Sequence, residues 1–394
     1  MALLKDLSVD GKGYYGIGAS AVEKKDDLYT YLRITDIRDD GTLNLGELKS
    51  VDDPDAGKYL LKPNDIVFAR TGASTGRNYF YDGSDGIFVY AGFLIKFSID
   101  PQKVNPQYVK YYCKSEQYRN WISSFSTGST RGNINAQTLG NMDIPIPSRE
   151  QQDFLVSVLA PLDAKIKHND KINDNLQQQA QTLFAEHFCL RNGDSVPEGW
   201  SLVSLGDVAV ISNKSFNPLK QPETMLEHYS IPAFDETRYP VFELSTEIKS
   251  NKFIVDSDCF MISKLNPTTK RVWRPYCMTE NAVCSTEFIV YKAKERELTD
   301  FLYSLIDSAL FSDFMCSHVT GSTGSRQRTT PSDTLQYQFY MPTADEIADF
   351  SAVVAPMYAQ IRVNALENAR LKELRDSLLP RLMSGEIDVA DIDA

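Results

Sequence analysis

The side chains best suited to chemistry lie in four stretches that carry basic residues and no carboxylate. Residues 66–81 hold Arg70 and Arg77 among Thr71, Ser74 and Thr75, and residues 117–142 hold Arg131 with Ser129, Thr130 and Asn133. Residues 259–279 hold Lys264, Lys270, Arg271 and Arg274 with Asn266, and residues 314–332 hold Arg326 and Arg328 with Thr323 and Ser325. Cations and hydroxyls of this kind bind phosphates, and Arg and Asn read base edges. One acid-free stretch by itself reads as an ordinary polar loop; four at repeated positions point to a nucleic-acid surface.

Other chemistries find little support. Gly72-Ala73-Ser74-Thr75-Gly76-Arg77 hints at a phosphate loop but lacks the spacing and the lysine of a nucleotide-binding P-loop. Asn217-Pro218 and Asn266-Pro267 are followed by no aromatic residue on which a flipped base would stack. Asp55 and Asp163 with Lys165 form at best a forced nuclease pattern, and His228 and His318 have no visible nucleophile partner. The six cysteines form no C-x-x-C and do not pair with the four histidines at metal-ligand spacing. No catalytic residue, no metal site and no cofactor is therefore expected, and reduced thiols suggest the cytoplasm.

Composition narrows the classes further. The 394 residues are 42% hydrophobic and 24% charged, enough for two or three ordinary domains. No apolar run approaches the ~18–20 residues that span a bilayer, so no membrane partner is expected. Met1-Ala2-Leu3-Leu4-Lys5-Asp6 does not read as a secretory leader. The formal net charge of −12 argues against nucleic acid only as a sum, because the acidic excess lies outside the four basic stretches.

The elements that would position these residues come in duplicate. Thr127-Gly128-Ser129-Thr130 recurs as Thr320-Gly321-Ser322-Thr323, and Val158-Leu159-Ala160-Pro161-Leu162 as Val353-Val354-Ala355-Pro356-Met357. Leu4-Lys5-Asp6-Leu7 is likewise matched by Leu205-Gly206-Asp207-Val208. Each half reads as a mixed α/β (α+β) globule followed by a long helix. Strands are expected around Tyr29–Ile34, Ile87–Tyr90, Ala282–Cys284 and Phe288–Tyr291, and single helices over 107–125 and 298–318. Capping boxes at Ser148/Gln151 and Thr343/Glu346 open the long helices. Their apolar seams run Leu162, Ile166, Asn169, Asn173, Leu176, Ala180, Leu183 and Met357, Ile361, Asn364, Asn368, Leu371, Arg375, Leu378. Alternating steps of three and four are coiled-coil spacing, so the rods are expected to pack antiparallel as a pseudo-twofold pair with their asparagines meeting. Ile166, Asn169, Asn173, Leu176, Ile361, Asn364, Asn368 and Leu371 are the expected pairing residues. The domains read as 1–147, a helix over 148–190, 191–342, and a second helix with an acidic tail over 343–394.

In this order the motifs resemble a specificity subunit of a Type I restriction-modification enzyme. The resemblance rests on Asp65-Ile66-Val67-Phe68-Ala69-Arg70-Thr71-Gly72, Gly92-Phe93-Leu94-Ile95 and Ile144-Pro145-Ile146-Pro147. It continues in Pro197-Glu198-Gly199-Trp200, Ile262-Ser263-Lys264-Leu265, Ser285-Thr286-Glu287-Phe288 and the ending Leu374-Arg375-Asp376-Ser377-Leu378-Leu379-Pro380. It implies two target-recognition domains, a bipartite asymmetric double-stranded DNA target, and no active site in this chain. It further implies two methyltransferase (modification) subunits docked on the helices, which methylate adenine from S-adenosylmethionine, and restriction/translocase subunits that use ATP and Mg²⁺. Under this resemblance Arg70, Thr71, Ser74, Thr75, Arg77, Ser129, Thr130, Arg131 and Asn133 are the DNA-binding residues of the first domain. Lys264, Asn266, Lys270, Arg271, Arg274, Thr323, Ser325, Arg326 and Arg328 are those of the second. The alternatives are a self-sufficient DNA-modifying enzyme with a divergent site and a protein scaffold that never contacts DNA.

Overall fold

The computed structural model describes residues 1–125, 133–190, 193–321 and 327–387. The chain divides into two compact units, Met1–Ala164 with Leu371–Ala394, and Lys165–Arg370.

In the first unit a four-stranded antiparallel sheet takes the order Tyr14–Tyr15, Leu94–Ser98, Asp65–Ala69, Asn78–Tyr81. A second sheet runs Ala21–Val22, Lys49–Val51, Tyr29–Leu32, Phe88–Tyr90, its last pair parallel. The strand Asp65–Ala69 is buried along its whole length. Its period of two explains why. Ile66 and Phe68 join a core with Phe97, Tyr108 and Tyr118, while Val67 and Ala69 join one with Leu32 and Tyr90. In the second unit Cys259–Ser263 repeats the device: Phe260 and Ile262 face one core, Cys259 and Met261 another. Here too a four-stranded antiparallel sheet accompanies a mixed one, now of five strands. The Leu4/Leu205 repeat is carried in backbone bonds, Leu4 N–H to the Met142 carbonyl (2.9 Å) and Leu205 N–H to that of Tyr337 (2.8 Å).

The single helices expected over 107–125 and 298–318 are each two. Pro106–Tyr112 gives way to Glu116–Ser123, and Thr299–Ile306 to Ala309–Ser317. A serine makes each break by accepting a backbone N–H as N-cap: Ser115 from Tyr118 and Ser308 from Phe311, both at 3.2 Å. Periodicity alone hides a break whose cap occupies one position.

The long helices span Arg149–Phe188 and Ala344–Ser384, 40 and 41 residues or roughly 60 Å each. Both capping boxes form: Ser148 N–H donates to Gln151 Oε1 (3.2 Å) and Thr343 N–H to Glu346 Oε2 (2.9 Å). Pro161 and Pro356 sit on exposed faces, where a carbonyl deprived of its helical partner meets water. In the first unit Leu155 and Leu159 share a core with Leu379 and Leu382; in the second Ala180 and Phe184 share one with Val354 and Tyr358. One helix's numbers rise as the other's fall, so the packing is antiparallel. The seam asparagines meet: Asn169 Nδ2 donates to Asn368 Oδ1 (2.9 Å) and Asn364 Nδ2 to Asn173 Oδ1 (2.8 Å). Ile166 is buried beside them, and Leu176, Ile361 and Leu371 are half-buried.

Arg375, the odd cation in the second seam, donates through Nη1 to Asp163 Oδ1 at 3.0 Å. Asp163 also accepts from Lys110 Nζ (2.9 Å) and the Tyr111 hydroxyl (3.1 Å), with Lys114 Nζ at 3.5 Å. Burial raises the pKa of the Asp163 carboxyl, but the charges of Lys114, Lys110 and Arg375 outweigh it and hold the group well below the usual carboxylate range. Desolvation pushes the Lys114 ammonium down to about 8 against the pull of Asp163. Asp55, the other carboxylate of the nuclease pattern, instead pairs with Lys58.

Candidate nucleic-acid interface

Each unit builds the same hairpin from its most buried strand. In the first, Asp65–Ala69 leads through residues 70–77 into Asn78–Tyr81; in the second, Cys259–Ser263 leads through 264–271 into Val272–Trp273. The loops close alike, Ala69 N–H to the Arg77 carbonyl (2.8 Å) and Ser263 N–H to that of Arg271 (2.9 Å). Each turns through a left-handed residue, Gly72 at φ 76° and Asn266 at φ 48°, the two residue types that adopt this conformation most readily.

A second basic stretch is stitched to each loop. Thr71 bridges Asn133 and Leu265 bridges Arg328. Alongside, Ile134 N–H donates to the Arg70 carbonyl (2.9 Å) and Thr329 N–H to that of Lys264 (3.1 Å). The four stretches read from the sequence therefore meet in two pairs, one per unit. In the first unit Arg70, Thr71, Ser74, Thr75 and Asn133 surround the loop; Thr75 Oγ1 donates to the Gly72 carbonyl (2.8 Å). Ser129, Thr130, Arg131, Thr323, Ser325 and Arg326 lie outside the described residues.

The cations themselves fall into two sets. Arg77 donates through Nε to Asp39 (2.6 Å) and through Nη1 to the Ile37 carbonyl (3.0 Å). Arg271 grips Asp235 with two bonds (2.6 and 2.9 Å), and Arg328 grips Glu287 with two (3.0 and 3.1 Å). Lys270 holds both the carboxylate (2.8 Å) and the carbonyl (2.7 Å) of Asp307, and Arg274 pairs with Asp300. These five cations brace the loops, and their carboxylates come from segments outside the acid-free stretches.

Arg70 and Lys264 occupy equivalent places and form the other set. Arg70 N–H donates to the Phe93 carbonyl (3.0 Å), Lys264 N–H to that of Glu287 (2.9 Å). Neither side chain has a carboxylate partner among the described residues. The Arg70 guanidinium lies 5.0 Å from the centre of the Tyr15 ring, and its Nη2 is 3.5 Å from Asn133 Oδ1. Arg70 Nε and Asn266 Oδ1 are enclosed with no partner among the described residues. Sequence reasoning missed Tyr15, which is 55 positions from Arg70 and outside every basic stretch.

The remaining chemical candidates do not assemble. Among the described residues no group of three or more His, Cys, Asp or Glu is placed to hold a metal ion. His228 binds Glu243 through Nδ1 and desolvation lowers its pKa, while His318 stacks on Phe314. All six cysteines are free thiols. Among the described residues no helix is long and apolar enough to cross a membrane.

Residues 19–178 match the family model of the Type I restriction modification DNA specificity domain. The chain is 24% identical to the Type I restriction enzyme MjaIX specificity subunit of Methanocaldococcus jannaschii, covering 73% of this chain and 70% of that one. It is 23% identical to the HindI specificity subunit of Haemophilus influenzae, covering 86% and 90%. The crystal structure of a Type I restriction-modification S subunit from M. genitalium shares the fold, at a TM-score of 0.52 and 16% identity over 97% of this chain and 95% of that one.

Proposed function

From the premise that this chain belongs to the specificity subunits of Type I restriction-modification enzymes, we propose that it reads a two-part, asymmetric double-stranded DNA target, one part with each unit. It does no chemistry itself. The observation that carries this reading is the repeated hairpin, joined in both units to a second basic stretch at the same place. Loops braced by internal ion pairs present fixed backbone amides and hydroxyls, which suit phosphates, and leave Arg70 and Lys264 without a carboxylate among the described residues. The two loops differ in sequence, so the two half-sites differ. The paired helices set the gap between half-sites and dock methyltransferase and restriction subunits.

Selection of the full chain, co-purified with its partner subunits, on a pool of randomised duplexes tests the reading. A bipartite motif is expected. Replacing residues 1–145 by another reader changes one half of it, and inserting one helical turn near Asn173 changes the gap alone. Charge reversal at Arg70 and Lys264 weakens binding and flattens its salt dependence. Unchanged binding would favour a scaffold, and methyl transfer from S-adenosylmethionine by the chain alone would establish a self-sufficient enzyme.

A further inference from the structure

We infer that Arg70 reads a guanine through its two terminal nitrogens and that Tyr15 holds it in the reading pose, an inference that rests on the DNA-reading function proposed above.

Tyr15 is fixed at both ends. It pairs with Ile95 in the antiparallel sheet, and its hydroxyl accepts the Ala136 N–H at 3.1 Å. The next residue is Gly16, where a Cβ would stand 2.3 Å from the carbonyl oxygens of Tyr90 and Ala91. Only glycine lets the strand pass there, so the position of the Tyr15 ring is built into the backbone.

Arg70 rests on that ring with its main chain pinned on both sides, to Phe93 and Ile134. Its fellow arginines Arg77, Arg271, Arg274 and Arg328 each meet a carboxylate; Arg70 meets none among the described residues. Its Nε is sealed from solvent, so an incoming ligand meets the terminal nitrogens. The ring beneath it restrains where the guanidinium sits, and the two coplanar donors of that planar group match the O6 and N7 acceptors of guanine.

A phosphate accepts the same fork, so the surroundings of Arg70 decide between the two. Lys264 shows the contrast: at the equivalent loop position it offers a point charge suited to phosphate. The residue whose carbonyl holds Arg70, Phe93, is 60% exposed, an apolar neighbour suited to bases rather than to phosphates. The half-site of the first unit therefore carries a G·C pair that this arginine selects, and the second half-site owes nothing to it.

The test is duplex selection followed by titration with the full chain and its partner subunits, comparing the parent with Arg70→Lys and Tyr15→Leu. The parent motif is expected to contain one invariant G·C pair whose preference falls about 10- to 100-fold in Arg70→Lys, the worth of one bidentate contact. Every other position, including the whole second half-site, should keep its preference and so certify that the variant is folded. Tyr15→Leu relaxes the same pair by a smaller factor. Substituting 7-deazaguanine there weakens the parent by a larger factor than it weakens Arg70→Lys. Uniform loss of affinity with all base preferences intact makes Arg70 a phosphate contact and overturns the inference, as does no change. A parent that selects no DNA overturns the functional reading itself, a result distinguishable from both.

Discussion

Asp163 offers the sharpest test of how the first unit is held together. Its carboxylate is 15% exposed and faces Lys110, Lys114 and Arg375, themselves 23%, 15% and 9% exposed. Removing one partner of a buried ion pair costs about 3–5 kcal/mol, most of it from the charge left behind. In Asp163→Ala the cost is not threefold. Arg375 keeps Asp376 at 2.8 Å and Lys110 is the most exposed of the three, so Lys114 bears most of it and about 3 kcal/mol is expected. Adding Lys114→Met to Asp163→Ala removes the stranded charge and should recover at least ~1 kcal/mol, a coupling that a double-mutant cycle isolates. Trp121 lies in the first unit and Trp200 and Trp273 in the second. Urea unfolding followed by fluorescence in a Trp200→Phe, Trp273→Phe background therefore reports the first unit. An Asp163→Ala chain within ~0.5 kcal/mol of the parent, or additive single and double variants, would refute the account. The acid side has a definite sign. The carboxyl titrates lower in the fold than in the unfolded chain, so its stabilisation is complete above the unfolded value of ~3.9 and is lost only as pH falls through the folded one.

Lys114 gives the opposite limb: its folded value, about 8, lies below the unfolded value of ~10.4. Stability of the first unit should rise between those pH values, where the unfolded chain binds the extra proton, and urea midpoints of Lys114→Met should lack that rise. Asn368→Ala removes the bonds that tie Asn368 to the buried Asn169 amide (2.9 Å) and to the Asp170 carboxylate (2.7 Å), and should cost about 1–3 kcal/mol by thermal melting. The double variant Asn169→Leu, Asn368→Leu should recover that loss yet admit mis-registered oligomers visible by light scattering. Gly76→Ala places a Cβ 2.4 Å from the Ile122 side chain at φ 87°, and should cost at least ~2 kcal/mol in the same urea assay.

The candidate interface was legible in part. That basic stretches recur, and that the chain repeats itself, follows from residue order, and the fold joins the stretches in pairs. Which cations remain available did not follow. Asp39, Asp235, Asp300, Asp307 and Glu287 neutralise five of them from distant or merely neighbouring segments. Tyr15 is a further case, since only the fold sets its ring beneath Arg70.

What the sequence determined by itself is local or periodic. A capping box involves four consecutive residues, and a seam repeats every three or four, so Ser148, Thr343 and the asparagine ladder could be read directly. The exception proves local too: Ser115 and Ser308 break helices by one hydrogen bond each, a signal overridden by the surrounding apolar pattern. Tertiary structure decided the electrostatics, because charges interact through distance in space. Arg77 and Arg70 are seven positions apart in one acid-free stretch, yet the fold gives one a carboxylate and the other an aromatic ring.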